Sequence, residues 1–286
     1  MIYAWYKFID LLPFAWTNYE FMKNALLAVV IITPCFGLIG TMVVGNRMAF
    51  FSDVIGHSAL TGVAIGVILG LVDVRPAMII FAVILSIAVN IILEKTKASS
   101  DTVMGVFAAI TAALGIALLS RGGSFNKYTV YLIGDILSVT PDEIFYIIIL
   151  FVSIILFWFF FGNYLALISI EPALVYGRII SPFVIRTFFS TLVALVVILS
   201  IKWVGLLIIN SLFILPAASA RLISHTLREY CVRSILISAI SGICGLIISF
   251  YAGSACGATI VICAAFIYLS IIVFKFFWKP SVGCNK

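Results

Sequence analysis

The chain has 286 residues, 64% of them hydrophobic and only 10% charged, with a mean hydropathy of +1.30. Soluble domains carry about 25% charged residues, so this composition cannot cover a water-facing surface and a soluble enzyme or binding domain is excluded. Its 17 Lys and Arg against 11 Asp and Glu give a net charge of +6, which in so apolar a chain reads as loop charge at a membrane and not as a nucleic-acid footprint.

The opening stretch, "MIYAWYKFIDLLPFAW", lacks the basic start, aliphatic core and small-residue cleavage site of a secretory signal. Trp5, Tyr6, Trp16 and Tyr19 suit the headgroup level, so residues 1–21 are expected to form an interfacial segment. Apolar runs then recur at 22–45, 54–72, 76–94, 102–121, 143–162, 184–201, 204–223, 233–251 and 256–278. Each matches the roughly 20 residues that a helix needs to cross the hydrocarbon core, whereas a barrel requires short alternating segments. The expected fold is all-α, a polytopic transmembrane bundle of eight or nine spans forming one domain over 22–278, with a short tail at 279–286. The count turns on the 201–204 link, where only Lys202 and Trp203 separate two runs.

Lys and Arg in short loops set orientation. Lys95 and Lys97, Arg178 and Arg186, Arg221, Arg228 and Arg233, and Lys275 and Lys279 are expected on the cytoplasmic side, which with nine spans puts the N-terminus outside; Arg121 and Lys127 run against the trend. Small residues crowd 54–72 and 242–258 and favour close helix packing. "YLIGDILSV", residues 131–139, is too short to span and reads as a short helix packed on protein. The six cysteines form no C-x-x-C pair and mostly lie in apolar runs, where they pack as small hydrophobes.

Three stretches could carry chemistry. In "FFSDVIGHSALTGVAIG", Asp53 and His57 are four apart and share one helix face. Carboxylate and imidazole together suit a divalent cation such as zinc or manganese, and ionisable residues inside spans are costly enough to imply function. The competing reading makes Asp53 an N-cap at the interface and His57 a first-turn residue reaching for water. Two ligands are too few for a four-coordinate site, but a homodimer presents the same patch twice. In the loop 168–186, Glu171-Pro172 opens a short helix favourably and Gly177 closes it; Val175 and Tyr176 lie just before that glycine. This is either a docking element or an ordinary capped loop. In "VGLLIINSLFILPAASARL", Asn210 and Ser211 sit mid-run and Pro216 removes a backbone donor, giving either a kinked, pore-lining helix or an ordinary kink with polar side chains bonded between helices. His225 reads as solvated. No G-x-x-x-x-G-K-[ST] phosphate loop occurs, so the chain is expected to be no enzyme, with any ATP hydrolysis carried by a partner.

Together these stretches resemble the membrane permease of bacterial ABC importers for manganese, zinc and iron, from about residue 20 to 275. "MGVFAAITAALGIALLS", "YLIGDILSVTPDEI" and "VGLLIINSLFILPAASARLIS" match that family's later segments in order. The resemblance implies a multi-pass protein of the bacterial cell membrane that imports Mn2+ or Zn2+ through a dimeric pore. It implies that Asp53 and His57 contact the metal and that residues 170–177 are the coupling helix of the ATPase contact. The implied partners are a second copy, cytoplasmic ATP-binding subunits and an extracellular metal-binding protein; no permanently bound cofactor is implied. One departure is Thr61, where the family commonly has proline. The alternative function is a secondary carrier coupling the cation to protons, which an inverted repeat would favour; none is visible. An intramembrane metalloenzyme would need further ligands, and no H-E-x-x-H occurs.

Overall fold

The computed structural model describes residues 2–10, 13–96, 98–121, 130–170 and 181–278. Its helices are α1 (Ile2–Ile9), α2 (Glu20–Gly45), α3 (Phe51–Ile68), α4 (Arg75–Lys95), α5 (Ser100–Arg121), α6 (Val130–Ile133), α7 (Pro141–Ile170), α8 (Pro182–Val204), α9 (Leu206–Ile223), α10 (Leu227–Ala252) and α11 (Cys256–Trp278). No strand occurs among the described residues. All but α1, α6 and α9 are long and apolar enough to cross a membrane, which makes eight. The ninth expected run is α9, whose apolar stretch Ile208–Ile223 is shorter than the others. The break anticipated near Trp203 falls at Gly205, where φ of 86° and ψ of 148° separate α8 from α9.

These helices are apolar all round because one face meets protein and the other meets lipid. Burial therefore ranks them: 78% of the α2 window is buried within the chain, against 11% for α11. Helix α2 is central and packs on α7, α9 and α10, while α3 organises a second group with α4, α5, α8 and α9. In lipid, apolar side chains gain nothing by meeting each other, so close approach relies on small residues and hydrogen bonds. A Cβ on Gly40 would lie 2.1 Å from the Phe213 carbonyl oxygen, and one on Gly37 would lie 2.7 Å from that of Ser234. The hydroxyls of Ser234 and Ser238 donate to the carbonyls of Gly37 and Thr33, each at 2.6 Å. Between α4 and α8, Asn90 donates to Ser190 Oγ at 2.6 Å.

Residues 131–139 pack on protein, with Ile136 and Val139 buried. Helix α6 and a 3-10 turn at Ile136–Ser138 meet the α8–α9 break there. The backbones touch at two glycines of positive φ. A Cβ on Gly134 would lie 2.2 Å from Gly205 N, and one on Gly205 would lie 2.2 Å from Ile133 O. The Asp135 N–H donates to the Lys202 carbonyl at 3.1 Å, bridging the segments.

Glu143 of α7 lies beside this junction. It accepts from the Lys202 ammonium and, at 3.2 Å each, from Trp203 Nε1 and the Thr140 N–H. Lys202→Ala leaves a largely buried carboxylate without its cation. The expected cost is about 1–3 kcal/mol, the range for an acceptor deprived of one partner, read as a lower thermal midpoint in detergent. An unchanged midpoint would mean that water replaces the ammonium fully.

Candidate functional site

The chain leaves α2 through a tight turn with Arg47 at φ 57°, and α3 begins at Phe51, three residues ahead of the apolar run. Asp53 consequently lies in the first helical turn. The N-cap position belongs to Phe50, which makes no side-chain cap bond, so the capping reading of Asp53 is replaced by one in which its carboxylate is available for other contacts. His57 follows one turn later. Asp53 Oδ1 and His57 Nε2 are 3.7 Å apart, with side chains 36% and 28% exposed.

That exposure marks one edge of a helix otherwise mostly buried. On the adjoining stripe, the Ser52 hydroxyl donates to Asn210 Oδ1, and a Cβ on Gly56 would meet Leu206 Cγ at 3.4 Å, so α9 lies directly against α3 there. On the other flank, a Cβ on Gly115 would stand 2.8 Å from Leu60 Cβ. Thr61 also donates to the Thr111 carbonyl of α5 at 2.6 Å. The hydroxyl that stands where the resembled family commonly has proline is thus a tie between α3 and α5. With α3 held on both flanks, the Asp53–His57 edge is the part left open.

A carboxylate and an imidazole one helical turn apart can replace two waters of a hydrated divalent cation. Among the described residues, no group of three or more His, Cys, Asp or Glu side chains is placed to hold a metal. By itself the pair could offer no more than half of the four ligands that a closed zinc site requires.

The other expected residues separate. Asn210 meets α3 at Ser52, whose hydroxyl donates to its amide oxygen. Ser211 is half-buried, and Pro216 is buried within α9, which stays helical through it. Glu171, Pro172, Val175, Tyr176 and Gly177 lie outside the described residues. On the far side of that loop, Ser181 caps α8 by accepting from the Val184 N–H at 3.4 Å. His225 is exposed, as expected.

Two contacts went unread in the sequence. Arg233 of α10 donates to the Ile223 carbonyl, and Lys275 of α11 donates to the Leu222 carbonyl at 2.8 Å. Cations favour helix C-termini, and these two close the end of α9 although they read as loop and tail charge. Ten and 53 residues separate the partners, so only the packing reveals them.

Comparison with known proteins places these features in context. The family model described as "ABC 3 transport family" matches residues 18–275. The chain is 34% identical over 261 residues to the high-affinity zinc uptake system membrane protein ZnuB of Haemophilus influenzae, covering 88% of this chain and 96% of that protein. It is 26% identical over 269 residues to the manganese transport system membrane protein MntC of Listeria monocytogenes, covering 94% and 95%. Among solved structures it is similar to PsaBC from Streptococcus pneumoniae in complex with Fab, with a TM-score of 0.78 and 27% identity, covering 98% of this chain and 97% of that one.

Proposed function

The chain belongs to the ABC 3 transport family, as a multi-pass metal-ion permease of the bacterial membrane, and we propose from that premise that it imports zinc or manganese through a pore built by two copies. The carrying observation is the Asp53–His57 pair, 3.7 Å apart on the open edge of a helix fixed on both flanks. Two copies facing each other across an axis would bring two carboxylates and two imidazoles together, the number a tetrahedral cation takes. Donors contributed by separate chains suit transport, because conduction requires a site that binds well enough to admit the ion and weakly enough to release it. Aspartate and histidine serve both metals, and the names of the relatives are divided between zinc and manganese.

Energy would come from separate ATP-binding subunits docking at residues 170–177, with Val175 and Tyr176 as apolar and aromatic anchors of the kind that dominate docking patches. The loop joins α7 to α8, and α8 packs against both α3 and α4. A displacement at the loop thus has a rigid route to the helix carrying the pair. An extracellular metal-binding protein would deliver the ion.

The test is metal uptake in cells expressing the chain with its ATPase. Uptake that collapses on ATP depletion and survives a proton ionophore supports this reading; the opposite pattern supports the proton-coupled carrier. Within the same system, Tyr176→Asp would place an unpaired charge in the proposed docking patch, which disrupts a buried fit, while Glu171→Ala is expected to be milder, because a single solvated ion contact contributes little. Tyr176→Asp is expected to lower the co-purified ATPase several-fold with metal binding retained. Normal co-purification would move the docking surface elsewhere, first to the basic stretch around Arg221 to Arg233.

A further inference from the structure

Helices α4, α7 and α8 enclose a groove of about 520 Å³, none of whose lining residues belongs to α3 or α9. Its walls are apolar along their length, through Ile79, Ile149, Leu192, Leu195 and Leu199. All its ionisable groups gather towards one end, where α4 and α7 begin and α8 finishes: Asp73, Arg75, Tyr131, Glu143, Tyr146 and Lys202. That end is opposite Lys95, the last residue of α4.

Length and charge together define the occupant. From Glu143 to Ser153 on α7, and from Leu192 to Trp203 on α8, the groove runs about 15 Å at 1.5 Å per residue. That is half of a hydrocarbon core of about 30 Å, the depth of a single leaflet. At the polar end the carboxylates are already engaged: Glu143 lies beneath Lys202 and Trp203, and Asp73 accepts from Arg75 Nε at 2.9 and 3.0 Å. A guanidinium carries five N–H donors and an ammonium three, so Arg75 and Lys202 retain donors beyond these bonds. Their side chains are 60% and 43% exposed; Glu143 is 12% exposed, and Asp73, 48% exposed, has both carboxylate oxygens occupied by Arg75 Nε. The groove therefore presents cationic donors at the interface and hydrocarbon below them.

We propose that this groove is a phospholipid site, with one acyl chain lying between α4, α7 and α8 and the lipid phosphate accepting from Arg75 and Lys202. A second protein helix would match the apolar walls but not the cationic end. Free phosphate would match the end but gain nothing from the walls.

The experiment uses the full chain, delipidated in nonionic detergent and titrated with dioleoyl phosphatidylglycerol under native mass spectrometry. One lipid per chain is expected to survive activation that strips the rest. Arg75→Gln is expected to weaken its binding roughly ten-fold, as for loss of one charge-assisted contact. Leu195→Trp and Ile149→Trp, which fill the groove from α8 and α7 in turn, are expected to abolish the retained lipid at an unchanged thermal midpoint. Dioleoylglycerol, which lacks the phosphate, is expected to bind weakly, and inorganic phosphate is expected not to compete. Retention of lipid by either tryptophan variant with its wild-type midpoint would overturn the proposal, and so would displacement by inorganic phosphate alone. Lys202 is left intact because its loss also unpairs Glu143.

Discussion

Gly205→Ala is expected to leave almost no folded protein in the membrane. The residue sits at φ 86° and ψ 148°, close to a backbone region that only glycine occupies readily and that costs other residues about 1–3 kcal/mol. Sterics add more than this. The new Cβ would lie 2.2 Å from the Ile133 oxygen, 2.3 Å from its carbonyl carbon and 2.7 Å from Gly134 N. All three are backbone atoms, so no rotamer change relieves the overlap. The 130–138 segment would have to lift away, withdrawing Ile136 from α2 and breaking the Asp135–Lys202 backbone bond. Gly253→Ala separates the two causes: that residue also has positive φ, 61°, but nothing lies within 4 Å of its Cβ position. Its expected cost is only the left-handed penalty of about 1–2 kcal/mol. Membrane abundance and the detergent thermal midpoint report both variants, and equal losses at the two glycines would refute the backbone-contact argument.

Asp53→Ala and His57→Ala are each expected to reduce metal uptake to background while protein abundance stays normal. Both side chains lie on an open edge and face each other at 3.7 Å, beyond hydrogen-bonding distance, so truncating either opens no buried cavity. In a two-copy pore each substitution removes two of four ligands, because symmetry repeats it. Ser52→Ala makes the informative contrast. It breaks the hydroxyl bond to Asn210 and spares both donors, so uptake is expected to fall only in part. Isotope uptake, normalised to membrane abundance, distinguishes these outcomes. Wild-type uptake by both alanine variants would remove Asp53 and His57 from the path.

The spans were legible because hydrocarbon thickness imposes a length that composition betrays, and 131–139 was legible because it fails that length. The spacing of Asp53 and His57 was legible for a similar reason: in a run with so few polar side chains, one helical turn between an acid and an imidazole is conspicuous. Which faces pack was not legible. Protein and lipid are equally apolar, so the side of α2 that meets α10 carries no hydrophobic signature, and its glycines gain meaning only once Ser234 of α10 meets Gly37. The start of α3 was read three residues late because Phe51 to Asp53 belong to a helix whose first turn is not uniformly apolar. The contact of Gly134 with Gly205, and the grouping of Glu143 with Lys202 and Trp203, join residues about sixty or more positions apart that no local pattern connects.

The closure of α9 by Arg233 and Lys275 gives the order of synthesis a structural meaning. Helix α9 has 18 residues, about 27 Å at 1.5 Å per residue, slightly less than a hydrocarbon core of about 30 Å. Its last carbonyls need donors wherever water is scarce, and the two side chains that supply them are translated after it, one in each of the next two helices. Until they are made, the end of α9 lacks these two protein donors. The C-terminal hairpin that carries them is an internal clasp for the helix standing beside Asp53 and His57.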